Sequence, residues 1–177
     1  MNTAPIFIIG YMASGKTTFA RALARETGRE FVDLDFYIEQ RFRMSIARIF
    51  ESRGEEEFRR MEAAMLREVG EFENVVVACG GGTPCFLGNM DYMLSRGTTI
   101  WLNTSPQRIA LRLVANRKHR PLMADKADHE ILDEVIAGLD RRFPYYSRAN
   151  ILFSGENLEN KRMIADSVAS FLALHPL

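Results

Sequence analysis

Five short apolar runs punctuate the chain, and apolar residues at helical spacing fill most of the intervals between them. Ile6-Phe7-Ile8-Ile9 is the first run, and residues 17–27 then place Phe19, Ala20, Leu23 and Ala24 on one side of a helix. Phe31-Val32 leads into Asp33-Leu34-Asp35, which reads as a short strand ending in acids. Phe58, Met61, Met65, Val69 and Phe72 follow at spacings of 3, 4, 4 and 3, a helical stripe. Val75-Val76-Val77-Ala78 is a buried-type strand stopped by Gly80-Gly81-Gly82, and residues 98–102 (TTIWL) form another. The pattern then predicts helices over about 106–114 and 128–143, an extended segment over 149–153 and an amphipathic helix over 158–174. Strands that are apolar throughout, set between helices, belong to a parallel sheet covered on both faces. The expectation is one α/β domain over residues 1–177, three layers deep, with a central sheet of about five strands.

Composition narrows the function without choosing it. Lys plus Arg equals Asp plus Glu at 23 each, so the chain carries no global basic footprint for nucleic acid or an anionic membrane. No apolar run approaches the roughly 20 residues of a membrane helix. The first residues lack the basic region of a secretory leader, and Cys79 and Cys85 make no disulfide framework or zinc pattern. The expected partners are therefore small molecules, with no nucleic acid and no membrane, and the expected location is the cytoplasm.

The first strand ends in Gly10-Tyr11-Met12-Ala13-Ser14-Gly15-Lys16-Thr17-Thr18. Gly-x-x-x-x-Gly-Lys-Thr between a strand and a helix is the phosphate-binding loop pattern. Small residues let backbone N–H groups turn toward phosphate oxygens, and the helix start adds its positive end. Ala13, Ser14, Gly15, Lys16, Thr17 and Thr18 are the candidate nucleotide-binding residues. Lys16 reaches the β- and γ-phosphates, and Thr17 offers a hydroxyl to Mg²⁺.

A phosphate loop alone does not name an acceptor. On an extended segment Asp33 and Asp35 share one side, and at the C-terminal end of a strand they face the ligand crevice of such a sheet. They suit Mg²⁺ coordination and the orientation of an acceptor hydroxyl, unless one of them merely caps the next helix. Arg59 and Glu62 are spaced to pair on a helix, as many solvated surface pairs are. Three consecutive glycines give up conformational entropy, which close approach of a ligand to the backbone would explain.

GYMASGKTT, FVDLDFYIE, IARIFESRGEEEFRRME, VVACGGGTP, RPLM and RRFPYYS occur in an order and spacing that resemble shikimate kinase. The resemblance implies a small monomeric kinase of the nucleoside-monophosphate-kinase-like fold with a mobile lid. Such enzymes move the γ-phosphate of ATP to the 3-hydroxyl of shikimate, with Mg²⁺. It further implies that Thr17 and Asp33 serve the metal and that Asp35, Arg59, Gly81, Gly82 and Arg142 bind shikimate. Lys16, Asp35 and Arg120 are then the catalytic set, Arg120 also contacting nucleotide from a lid over about 115–126. The acceptor-binding helical segment spans about 34–62.

The chemistry agrees. Two arginines grip a carboxylate by charge-assisted, planar contacts. Phe50 and Phe58 wall the carbocycle or else belong to the core. Asp35, close to cations, is expected to have a low pKa, acting as an orienting group before a base. Arg112 or Arg117 stacks on adenine. Two departures stand out: Ala13 occupies a position that is glycine in the family, and SGENLENK lacks the arginine and proline of its adenine loop. The rivals are a gluconate or adenylate kinase of the same fold, and a nucleotide switch. The aspartate pair, the glycine triplet and Arg142-x-Pro144-x-Tyr146 oppose the former, and the missing Asn-Lys-x-Asp motif opposes the latter.

Overall fold

The computed structural model describes residues 3–116 and 127–176. Its centre is a sheet of five parallel strands: β1 (Ile6–Ile9), β2 (Glu30–Asp33), β3 (Val75–Ala78), β4 (Thr98–Asn103) and β5 (Ile151–Ser154). They lie in the order β2-β3-β1-β4-β5. The two central apolar runs, β1 and β3, are buried at every position.

Period-two alternation divides each strand between two cores. Ile6, Ile8, Val76, Ala78, Ile100 and Leu102 pack with α1 (Lys16–Thr27) and α7 (Lys161–Leu174) through Phe19, Leu23, Val168 and Phe171. Phe7, Ile9, Val75 and Val77 face the opposite layer. That layer holds α2 (Leu34–Phe42), α3 (Ile46–Val69), α4 (Asn89–Arg96), α5 (Pro106–Ala115) and α6 (Asp128–Tyr146). The result is the helix–sheet–helix sandwich expected of apolar parallel strands.

Four boundaries differ from the sequence pattern, each for a local reason. The segment Asp33-Leu34-Asp35 is not extended throughout. Asp33 ends β2 and its carboxylate accepts the Phe36 N–H, so α2 starts at Leu34 and Asp35 sits in its first turn. The Phe58–Val69 stripe is helical, but α3 ends at Val69 and Phe72 lies beyond it. Upstream, α3 breaks at Gly54, whose φ of 80° no L side chain adopts comfortably, so the helical segment before it meets the longer one after it at a kink. Finally, α6 continues through Pro144 to Tyr146. A proline in the last turn removes one hydrogen bond, and the following residues still close the helix, with Ser147 N–H on the Phe143 carbonyl.

Register explains why distant motifs meet. Ile8, Ala78 and Asp33 are neighbours across β1, β3 and β2. Two residues beyond that row stand Gly10, Gly80 and Asp35, the starts of the phosphate loop, the glycine triplet and the first turn of α2. In an open parallel sheet this is the end where ligands bind.

Candidate active site

The phosphate loop closes on its own carbonyls. Lys16 Nζ donates to the Tyr11 carbonyl at 2.7 Å, and Ser14 N–H reaches the same oxygen at 3.2 Å. Ser14 is fully buried beneath the loop, whereas Ala13, Gly15, Lys16, Thr17 and Thr18 border open space. Ala13 adopts φ 58°, a left-handed conformation usually left to glycine. The Thr17 hydroxyl donates to Asp33 Oδ2 at 3.0 Å, so the two oxygen donors assigned to Mg²⁺ stand side by side. Among the described residues no cluster of three or more His, Cys, Asp or Glu forms a metal cage. Mg²⁺ needs none: it retains water and is held by one or two carboxylates plus substrate phosphates, which these two donors fit.

A cavity of about 440 Å³ opens on one side of the loop. Asp35, Phe50, Phe58, Arg59, Gly81, Gly82 and Arg142 line it together with Lys16, Thr17 and Asp33. A second cavity of about 370 Å³ opens on the other side, between the loop, Arg112, Asn116, Leu158 and Glu159. Ala13, Lys16 and Thr17 line both cavities, so the loop stands between two chambers, called acceptor and nucleotide chamber after the roles expected of their residues from the sequence.

In the acceptor chamber the Arg59–Glu62 spacing proves to be more than a surface pair. Glu62 is 1% exposed, and accepts from Arg59 Nη1 at 2.9 Å and from the Thr83 hydroxyl at 2.6 Å. Glu55, an exposed carboxylate, holds Arg59 Nε and Nη2 from the other side, and the Phe58 and Phe86 rings lie under the guanidinium. Across the chamber Arg142 Nη1 donates to the Gly138 carbonyl at 2.9 Å, with Tyr11 beneath the cation.

The glycine triplet faces the protein's own functional groups as much as any ligand. A Cβ at Gly82 would stand 2.8 Å from Arg59 Nη2, and one at Gly80 would stand 2.9 Å from Asp35 Oδ1. Neither residue needs a left-handed backbone. Glycine is required there for space alone. The Tyr146 hydroxyl donates to the Gly81 carbonyl, pinning the triplet to α6.

One expectation is reversed. Asp35 does not have a low pKa: it is raised to about 6. Burial is the main cause, the Asp33 and Glu62 carboxylates add to it, and Lys16 opposes it without prevailing. No arginine contributes to the shift, and Glu62 and Glu55 already balance Arg59.

Arg117 and Arg120 fall outside the described residues, as does nearly all of the segment read as a lid. Sequence reasoning did not find Thr83, Phe86 or Tyr11. Thr83 and Phe86 follow the triplet in a short turn with no pattern of its own, and Tyr11 occupies a variable loop position, so nothing in the sequence marks them. Phe50 and Phe58 do both things asked of them: they stack at 4.5 Å and also line the chamber.

The sequence model of the shikimate kinase family matches residues 12–173. A shikimate kinase of Phocaeicola vulgatus is 48% identical over 165 residues, covering 93% of this chain and 94% of its own. One from Bacteroides fragilis is 46% identical over 163 residues, 92% of this chain and 91% of its own. The crystal structure of shikimate kinase from Bacteroides thetaiotaomicron superposes with a TM-score of 0.94 at 42% identity, covering 99% of both chains. That of Acinetobacter baumannii, solved in complex with shikimate, gives 0.80 at 31% identity, covering 97% of this chain and 92% of the other.

Proposed function

The chain belongs to the shikimate kinase family, and on that premise we propose how its residues divide the work. The enzyme is an ATP-dependent kinase that transfers the γ-phosphate to the 3-hydroxyl of shikimate, giving shikimate 3-phosphate and ADP. The observation that carries the division of roles is the shared wall: Lys16 and Thr17 line both chambers. A γ-phosphate on the loop therefore faces the acceptor.

In the acceptor chamber Arg59 and Arg142 receive the shikimate carboxylate. The incoming carboxylate replaces exposed Glu55 on the Arg59 fork, while buried Glu62 stays in place and keeps the fork oriented. Gly81 and Gly82 offer backbone to the ring, and Phe50 and Phe58 wall its apolar face. Asp35 accepts the 3-hydroxyl. With a pKa near 6 it is a stronger base than an ordinary carboxylate, and it is ionised at neutral pH. It orients the nucleophile and takes the proton as the oxygen bonds to phosphorus.

Lys16 and the loop N–H groups hold the β- and γ-phosphates. Phosphoryl transfer passes through a loose transition state, so positioning and charge neutralisation dominate. Thr17 and Asp33 would hold Mg²⁺, which when bound would supply further positive charge at the phosphates. Arg120 delivers a guanidinium from a lid over about 115–126. The whole forms a single kinase domain acting as a cytoplasmic monomer, without nucleic-acid or membrane partners. Among the described residues no helix is long and apolar enough to cross a membrane.

An ADP-release assay with shikimate, gluconate, AMP and no acceptor tests the reading. ADP formation is expected with shikimate and Mg²⁺ together. Equal turnover with gluconate or AMP would overturn it.

A further inference from the structure

The nucleotide chamber contains an arginine with all three guanidinium nitrogens hydrogen-bonded to the protein itself. Arg112, on α5, donates from Nη1 to the carbonyls of Ala13 (3.3 Å) and Ser14 (3.0 Å), both in the phosphate loop. Its Nη2 donates to the carbonyls of Gly155 (2.9 Å) and Glu156 (3.2 Å), just after β5. Glu159 Oε1 accepts from Nε at 3.0 Å and from Nη2 at 2.8 Å. One planar fork thus joins a loop 99 residues before Arg112 to one 43 residues after it.

The two loops it joins are the places where the chain departs from the expected pattern. Ala13 holds a left-handed φ of 58° that costs an alanine more than a glycine. Its carbonyl is one of those that Arg112 grips. The 154–161 stretch has no arginine of its own directed at the base. It supplies instead two carbonyls and a carboxylate that fix Arg112, and Leu158, whose Cδ1 would stand 2.6 Å from a Cβ at Gly15. From the other flank the Thr104 hydroxyl donates to the Ser14 carbonyl at 3.1 Å. In a trans peptide the N–H points opposite to its carbonyl, so tying the Ser14 carbonyl outward turns the Gly15 N–H toward the phosphate side, while the Ser14 N–H is held by the Tyr11 carbonyl.

We infer that Arg112 is a positioning residue for the triphosphate: with Glu159 it clasps the phosphate loop to the β5–α7 segment and preorganises it. It does not serve as a stacking platform for the purine. This rests on the phosphate-loop reading above.

The discriminating ligand is inorganic tripolyphosphate, which has phosphates and no base. Calorimetric titrations of ATP and of tripolyphosphate, each with Mg²⁺, are made on the wild-type enzyme and on Arg112→Ala, Arg112→Lys and Glu159→Gln. Arg112→Ala removes several charge-assisted hydrogen bonds, so both ligands should weaken by the same factor, about tenfold or more. Glu159→Gln should weaken both equally by a smaller factor, and Arg112→Lys should restore part of the loss. In turnover, KM for ATP should rise while KM for shikimate stays within twofold. Loss of ATP affinity with tripolyphosphate affinity unchanged assigns Arg112 to the base and overturns the clasp. So does unchanged affinity for both in a folded Arg112→Ala enzyme. If Arg112→Ala does not fold, Glu159→Gln decides by the same comparison. Wild-type enzyme that binds neither ligand would instead refute the phosphate-loop reading itself.

Discussion

Asp35 shows how much a single side chain's surroundings can change its chemistry. A folded-state pKa of about 6 against an ordinary value of 3.8 means that the folded protein binds more protons than the unfolded chain between about pH 4 and 6. Its stability therefore falls as pH rises through that window. The cost of keeping the carboxylate ionised at neutral pH is about 2–3 kcal/mol, at 1.36 kcal/mol per pKa unit. Asp35→Asn should be more stable than wild type at pH 8 by about that amount, and the difference should vanish near pH 4. Denaturant titrations at the two pH values measure it. The same group should shape turnover: kcat/KM is expected to fall about tenfold per pH unit below pH 6. A profile flat from pH 5 to 8 would remove Asp35 as the base. Neither trait was visible in the sequence. Asp-x-Asp declared two acids, but their unequal fates depend on Asp33 capping α2 while Asp35 turns in toward Gly80.

At the scale of elements, legibility followed burial and length. β1 and β3 are apolar at every position and were read to the residue, because no alternative placement satisfies a four-residue buried run. α4 was not seen: eight residues give barely two turns, too few for a period to emerge. Only the start of α2, Leu34-Asp35, reads as the end of a strand, because its short sequence carries the exposed Phe36 and the buried Leu34 and Ile38 in no clear stripe. The glycine triplet suggests close approach of a ligand, whereas at Gly80 and Gly82 it is Asp35 and Arg59 that approach, packing that only the folded chain brings together. Gly82→Ala tests that packing. The new methyl meets the Arg59 guanidinium, which is flexible and can yield, so the fold should survive with a loss of about 1 kcal/mol. Displacing the fork should raise KM for shikimate about tenfold or more and leave KM for ATP nearly unchanged. Steady-state kinetics with each substrate varied separately would show it. An equal rise in both constants would mean that the triplet supports the phosphate loop instead.

The molecule as a whole is electrically neutral, with 23 basic and 23 acidic residues, yet its site gathers charge from both ends of the chain. Lys16 and the phosphate loop follow β1, and Asp33 and Asp35 come from the end of β2, on the other side of β3, whereas Arg142 arrives on α6, more than a hundred residues later. On the proposed division of roles, shikimate would tie α6 to α3 across the chamber, while ATP would tie the loop to the β5–α7 side. Ligand-linked stability separates these two ties. A ligand at one hundred times its Kd stabilises the folded state by about 2.7 kcal/mol. For a domain of this size that is a rise in Tm of roughly 5–10 °C. Arg142→Lys keeps the positive charge but not the two-point planar contact with a carboxylate. Losing a charge-assisted hydrogen bond of about 1.5–3 kcal/mol should remove most of the shikimate-induced rise at the same ligand concentration. The rise induced by Mg–ATP should persist, since Arg142 lines only the acceptor chamber. Scanning calorimetry of wild type and variant, with each ligand alone, gives the answer. If shikimate protects the lysine variant as well as it protects wild type, Arg142 does not hold its carboxylate, and the acceptor site must close on Arg59 alone.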